Sequence, residues 1–175
     1  VAPLYPLAPG HDAAAITAFA LDFYKEFAAK MGDAPFLMAG DSAGGGLTAA
    51  TVMAARDAAL PLPAKLILIC PWLNVDPMHP DQPGIEPNDA ILTIRGIREA
   101  GLMYAGAAGV RDRRVSPIFG DWAGLPPILA FGGGSDILVV DARALKDLLP
   151  AIDYVELDGM IHDWPIFFFP ESRDA

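Results

Sequence analysis

Apolar residues run along this chain in short blocks, separated by segments with a helical period. From Asp12, a good N-cap, Ile16, Phe19, Phe23 and Phe27 recur at spacings of three and four, and Gly32 follows as a stop, which predicts an amphipathic helix. Residues 1–5 read as the tail of a strand closed by Pro6 and Pro9. Residues 36–39 read as an apolar strand, and 44–59, rich in Ala, Gly and Thr, as a second helix. The clearest strand is 65–70, where five apolar residues follow one another, the pattern of a strand covered on both faces. Residues 74–88, with Pro77, Pro80, Pro83 and Pro87, read as loop. Thr93 can cap a helix to about Ala105 with Ile94, Ile97 and Leu102 as its apolar stripe, and 111–114 reads as a solvated turn. A buried strand at 127–131, a short helix at 141–149 and a last strand at 152–157 complete the order. Strand and helix alternate, which predicts a mostly parallel sheet with helices on both faces, an α/β fold.

Composition supports a folded chain. Of 175 residues 53% are hydrophobic and 19% charged, a balance that builds a core and argues against disorder. The net charge is −10, from 12 Lys+Arg against 22 Asp+Glu. With no basic cluster, such a surface repels phosphate backbones and anionic lipid, so nucleic acid and membrane are poor partners. The longest apolar stretches, such as 66–70 and 166–169, fall far short of the roughly 18–20 residues of a membrane span. The single cysteine, Cys70, cannot form an internal disulfide, and no Cys/His cluster has zinc-ligand spacing, so staples and structural metal are not expected. A cytoplasmic location is the expectation. Residue 1 is Val, with no basic-then-apolar opening, so the start was processed away or the sequence is incomplete.

The informative chemistry lies in Phe36-Leu37-Met38-Ala39-Gly40-Asp41-Ser42-Ala43-Gly44-Gly45-Gly46. Gly40-x-Ser42-x-Gly44 sits between a predicted strand and a predicted helix, the context in which G-x-S-x-G marks a nucleophile elbow. The flanking glycines are expected because side chains on either side of so tight a turn would collide with neighbouring backbone. Ser42 would then project at a helix N-terminus whose free N–H groups favour developing negative charge. A serine hydroxyl needs a base, and the base an orienting acid. Hydrolases with such an elbow order the three along the chain as serine, acid, histidine. His162 comes last and follows the final strand, whereas His11 and His79 read as surface residues. Asp136 directly follows the 127–131 strand and is the acid candidate. Its rivals read otherwise: Asp141 as a helix N-cap, Asp158 and Asp163 as surface groups too close to His162, and Asp41 as unable to reach round the imidazole. Gly132-Gly133-Gly134 reads as a flexible turn at a strand end, since no phosphate-loop pattern follows. Cys70 reads as a small core residue, and Trp72, Trp122 and Trp164 by default as core.

These residues resemble the hormone-sensitive-lipase-like branch of the α/β-hydrolase esterases. Tyr5-Pro6-Leu7-Ala8-Pro9 is similar to that branch's Y-R-L-A-P segment, Gly40-Asp41-Ser42-Ala43-Gly44-Gly45 to its G-D-S-A-G-G elbow, and Ser116-Pro117 to its S-P before the acid strand. Asp136 and His162 fall where the branch carries acid and base. Pro6 and Gly10 depart from its usual arginine and glutamate. The branch's H-G-G-G oxyanion loop, first strands and N-terminal cap belong upstream of Tyr5 and have no counterpart in this sequence, so Ala43 N–H is the one oxyanion donor to assign.

The resemblance implies the α/β-hydrolase fold, with residues 1–175 as the carboxyl-terminal part of a single domain and 74–115 as a loop-and-helix insertion. It also implies a serine carboxylesterase for short- to medium-chain acyl esters, with no cofactor or metal, a small-molecule ester as partner and a homodimer left open. An amidase or lactonase using the same triad is the enzymatic rival. A non-catalytic hydrolase-fold fragment or interaction module is the rival from another class, since losing one oxyanion donor costs about 10²–10³ in kcat.

Overall fold

The computed structural model describes residues 1–76 and 79–173; Pro77 of the proline-rich loop lies outside the described residues. Four parallel strands form one sheet in the order β1 (Leu37–Asp41), β2 (Lys65–Ile69), β3 (Ile128–Gly133) and β4 (Asp153–Leu157). The crossovers carry α2 (Ser42–Asp57), α4 (Ile94–Ala105) and α5 (Val139–Leu148), and α1 (Ala13–Met31) precedes the sheet. The registers Asp41↔Ile69, Ile69↔Phe131 and Gly133↔Leu157 bring all four carboxyl ends to one edge. Loops that follow strands in such a sheet meet there, and ligands bind in the crevice they form.

Alternation along β2 divides the core. Leu66 and Leu68 pack on one face with Ala49 and Val52 of α2, Tyr24 of α1 and Leu145 of α5. Ile67 and Ile69 point to the other, where Cys70, Phe131 and Trp164 form a second cluster under a short 3-10 helix at Trp164–Ile166. Trp122 and Trp164 are core residues as expected, at 6% and 1% exposure. No helix among the described residues is long and apolar enough to cross a membrane.

Several elements differ from the sequence reading. Residues 1–5 form no strand; Val1 and Leu4 are fully exposed. In α1 the predicted cap holds, Asp12 Oδ1 accepting from the Ala15 N–H at 3.0 Å. Its buried face, however, is Ile16, Ala20, Tyr24 and Ala28, not the phenylalanine stripe. Phe23 and Phe27 turn instead toward β1, where Phe27 meets Phe36 edge-on at 5.3 Å. The 74–88 loop contains a helical turn, α3 (Gln82–Ile85), running into a 3-10 turn. Thr93 caps α4 as expected, accepting from Gly96 N–H at 3.1 Å. The buried face of α4 is nevertheless Ile97, Gly101 and Ala105, and Leu102 is exposed. Gly101 decides this face, because a Cβ there would lie 2.6 Å from the Val75 carbonyl oxygen.

Candidate active site

Ser42 opens α2 directly from the end of β1 with φ of 51°, a left-handed conformation that costs a non-glycine residue about 1–2 kcal/mol. The turn is held from two sides. Ser42 C=O accepts from the Trp72 N–H at 2.9 Å, tying the elbow to the loop after β2. A Cβ at Gly40 would overlap the Gly44 carbonyl, so this glycine is required as predicted. Gly44 is not: a Cβ there would meet nothing nearer than Asp41 Oδ1 at 3.8 Å. The close approaches fall on the next two glycines, Gly45 against Pro71 and Gly46 against the Trp72 carbonyl. Asp41 makes no side-chain cap, so the first-turn N–H groups of α2, Ala43's among them, lack a partner within the helix.

Asp136 and His162 come together as expected. The pair is buried, with Nδ1 of His162 2.8 Å from Asp136 Oδ2. Asp136 Oδ1 accepts from Leu138 N–H at 2.7 Å, which fixes the carboxylate plane. Bridging this distance is a problem of topology. Strands lie about 4.8 Å apart, so the loop after β4 must fold back over the end of β3 to carry His162 toward Ser42. Gly132-Gly133-Gly134 makes room for it. A Cβ at Gly133 would lie 2.6 and 2.7 Å from the Met160 and Ile161 carbonyl oxygens, and one at Gly134 would lie 3.0 Å from Asp158 Cα. Gly134 N–H and Ser135 N–H also donate to Leu157 and Met160 carbonyls, each at 2.9 Å. The triglycine is thus a packing seat rather than the flexible turn expected.

Burial lowers the affinity of the His162 imidazole for a proton, but the hydrogen bond and charge of Asp136, with Asp163 and Asp89 nearby, outweigh it and leave its pKa raised. Asp163 is the larger surprise. Expected at the surface, it is 9% exposed, sits in a left-handed conformation at φ 58°, and holds Oδ2 3.2 Å from His162 Nε2. Burial pushes its carboxyl up to about 6. Among the described residues no hydrogen bond joins Ser42 to His162; Nε2 faces Asp163 instead. Such bonds are often loose in unliganded enzymes.

Other residues hold the acid loop without contacting His162. Asp141, expected as an N-cap, lies inside α5 and accepts from Leu73 and Asn74 N–H at 2.7 and 2.8 Å, joining α5 to the loop after β2. Burial pushes its carboxyl up to about 7, against those two hydrogen bonds. Ile137, next to Asp136, is clamped at both backbone groups: its N–H donates to Asp89 Oδ2 at 2.8 Å and its C=O accepts from Gln82 Nε2 at 3.1 Å. Nothing in the sequence signals Asp89 or Gln82, whose partners are about 50 residues away. His11 and His79 are exposed, as expected, and Asp158 is too. Beside Ala43 opens a cleft of about 250 Å³, walled by Tyr5, Leu47, Trp72, Val75, Tyr104 and Val115.

The comparisons with known proteins agree with this geometry. The family described as alpha/beta hydrolase fold matches residues 1–166. LipR of Mycobacterium tuberculosis, provisionally named an acetyl-hydrolase, is 39% identical over an alignment of 147 positions that covers 79% of this chain and 47% of that protein. An acetyl-hydrolase of Streptomyces hygroscopicus is 33% identical over an alignment of 144 positions that covers 79% of this chain and 48% of its own. The crystal structure of an esterase from the bacterial hormone-sensitive lipase family superposes with a TM-score of 0.91 at 30% identity, covering 98% of this chain and 60% of that one. The chain therefore spans about half the length of the curated relatives it matches. With a parallel sheet, a strained serine elbow and sequence likeness in agreement, this chain belongs to the alpha/beta hydrolase fold family, in its hormone-sensitive-lipase-like branch.

Proposed function

We propose that this chain carries the catalytic centre of a serine carboxylesterase for short- to medium-chain acyl esters. Ser42 Oγ attacks the ester carbonyl while His162 Nε2 takes its proton and returns it to the leaving alcohol. Asp136 holds the imidazole tautomer and stabilises its charged form. Ala43 N–H, at the open first turn of α2, binds the oxyanion. Water then repeats the cycle on the acyl-enzyme, and no step calls on a cofactor.

The observation that carries this reading is the buried 2.8 Å bond between His162 Nδ1 and Asp136 Oδ2. It commits Nδ1, so proton transfer falls to Nε2, the nitrogen that faces Asp163 in the unliganded chain. The cleft beside Ala43, near the small end of the range for ligand pockets, suits a short acyl group. The names of the relatives, acetyl-hydrolase and esterase, point the same way. The test is covalent labelling with a fluorophosphonate, together with hydrolysis of p-nitrophenyl acetate, butyrate and longer esters. Labelling that disappears in Ser42→Ala, with turnover highest on the short esters, supports the proposal. Equal labelling of the variant overturns it. A folded chain that neither labels nor turns over would instead be a non-catalytic segment, and turnover confined to amides or lactones would make it the corresponding hydrolase.

A further inference from the structure

The contact between Asp163 and His162 sets a chemical puzzle. With Nδ1–H donated to Asp136, the neutral imidazole presents a lone pair at Nε2, and at 3.2 Å that lone pair meets Asp163 Oδ2, which is also an acceptor. Two acceptors at this distance need a proton or a cation between them. The other oxygen, Asp163 Oδ1, is buried and has no hydrogen-bond partner among the described residues. Cys70 lies against the same pair, fully buried at the end of β2, with φ of 41°. One ligand atom each from Cys70, His162 and Asp163 lies within 4.8 Å of the other two. Among the described residues no Lys or Arg nitrogen lies within 4.0 Å of either Asp136 or Asp163, and the imidazole is their one basic neighbour.

We propose that Cys70, His162 and Asp163 form an inhibitory binding site for a soft divalent cation such as zinc or cadmium. Thiolate, imidazole and carboxylate are together a zinc-type donor set, and a thiolate excludes magnesium and calcium. Tetrahedral zinc holds such donor atoms about 3.5 Å apart, so a contraction of about 1 Å closes the set, the scale of a side-chain adjustment. Asp136 already supplies the second shell, a carboxylate on the far nitrogen of a ligating histidine, which fixes the tautomer and raises the basicity of Nε2. Binding exchanges the thiol proton for the metal and releases it to solvent. The ion then occupies the lone pair that the proposed esterase needs as its base, so it silences the serine; this consequence, unlike the binding itself, rests on the reading given under Proposed function. Sequence spacing could not reveal the site, since Cys70 and His162 are 92 residues apart (162 − 70) and meet only because the loop after β4 folds back over the end of β3 toward β2.

The sole cysteine makes the test clean. Metal-free protein is titrated with cadmium while the ultraviolet thiolate-to-cadmium charge-transfer band is followed. The band should saturate at one equivalent, vanish in Cys70→Ala, and need at least tenfold more cadmium in Asp163→Asn, a substitution that keeps a residue tolerant of the left-handed backbone. In parallel, saturating zinc should slow fluorophosphonate labelling at least tenfold, a chelator should restore it, and Cys70→Ala should label at a rate that zinc does not change. No band in the wild type, an unchanged titration in Asp163→Asn, or equal zinc inhibition of Cys70→Ala overturns the proposal. A band of the expected behaviour in a protein that never labels would uphold the site and refute the esterase reading alone.

Discussion

Gly133→Ala puts the proposed triad under the most direct mechanical test. Its added Cβ would lie 2.6 Å from Met160 O and 2.7 Å from Ile161 O, both backbone atoms of the segment leading into His162. An unstrained carbon–oxygen contact is about 3.4 Å, so that segment must retreat by about 0.8 Å. Directed along the His162–Asp136 bond, the retreat would stretch 2.8 Å to about 3.6 Å, beyond hydrogen-bond range. Overpacking of this kind costs about 1–3 kcal/mol, and at this chain length each kcal/mol lowers Tm by about 2–4 °C. A displacement near 1 Å in a catalytic constellation costs about 10² in rate. The assay is thermal unfolding together with the second-order rate of fluorophosphonate labelling, expected to fall by one to two orders of magnitude. Gly84→Ala is the control, since a Cβ at Gly84 meets nothing within 4 Å among the described residues, and it should label at the wild-type rate. Gly133→Ala with wild-type Tm and labelling would refute the claim that the triglycine seats the histidine loop.

Two further outcomes follow from groups that hold the acid loop. Burial raises the Asp141 carboxyl to about 7, above the ordinary value of about 3.9 that it regains on unfolding. The folded state therefore binds the extra proton between those values, and stability falls as pH rises through about 7. Asp141→Asn should flatten this part of the stability–pH curve; guanidinium unfolding at intervals from pH 5 to 8 reads it, and an unchanged slope would count against the assignment. Asp89→Ala strands the buried Ile137 N–H, which costs about 1–3 kcal/mol. Unfolding midpoints should show that loss, and a variant as stable as the wild type would mean that water or another acceptor replaces the carboxylate.

The local features of this protein were legible in its sequence, because each depends on residues a few positions apart. The Asp12 and Thr93 caps, the apolar run of β2 and the Gly40-Asp41-Ser42 turn follow from periodicity, capping chemistry and glycine freedom, and they sufficed to predict parallel strands; the order Ser42, Asp136, His162 came from the chain order of hydrolases with such an elbow. What the tertiary structure decided is which face of each element is buried and what lies across from each polar group. The face of α1 is set by what it packs against rather than by its largest side chains, so the phenylalanine stripe misled. Asp163 looked like a surface residue because it adjoins His162 in sequence, yet the loop after β4 folds over Gly133 and Gly134 and buries it against His162 and Cys70. Asp89, Gln82 and Asp141 hold backbone groups 48 to 68 residues away, a pairing no local pattern encodes. Parallel sheets make such contacts the rule: every strand pair is joined through a crossover, and the residues that meet at the carboxyl edge are always distant in sequence.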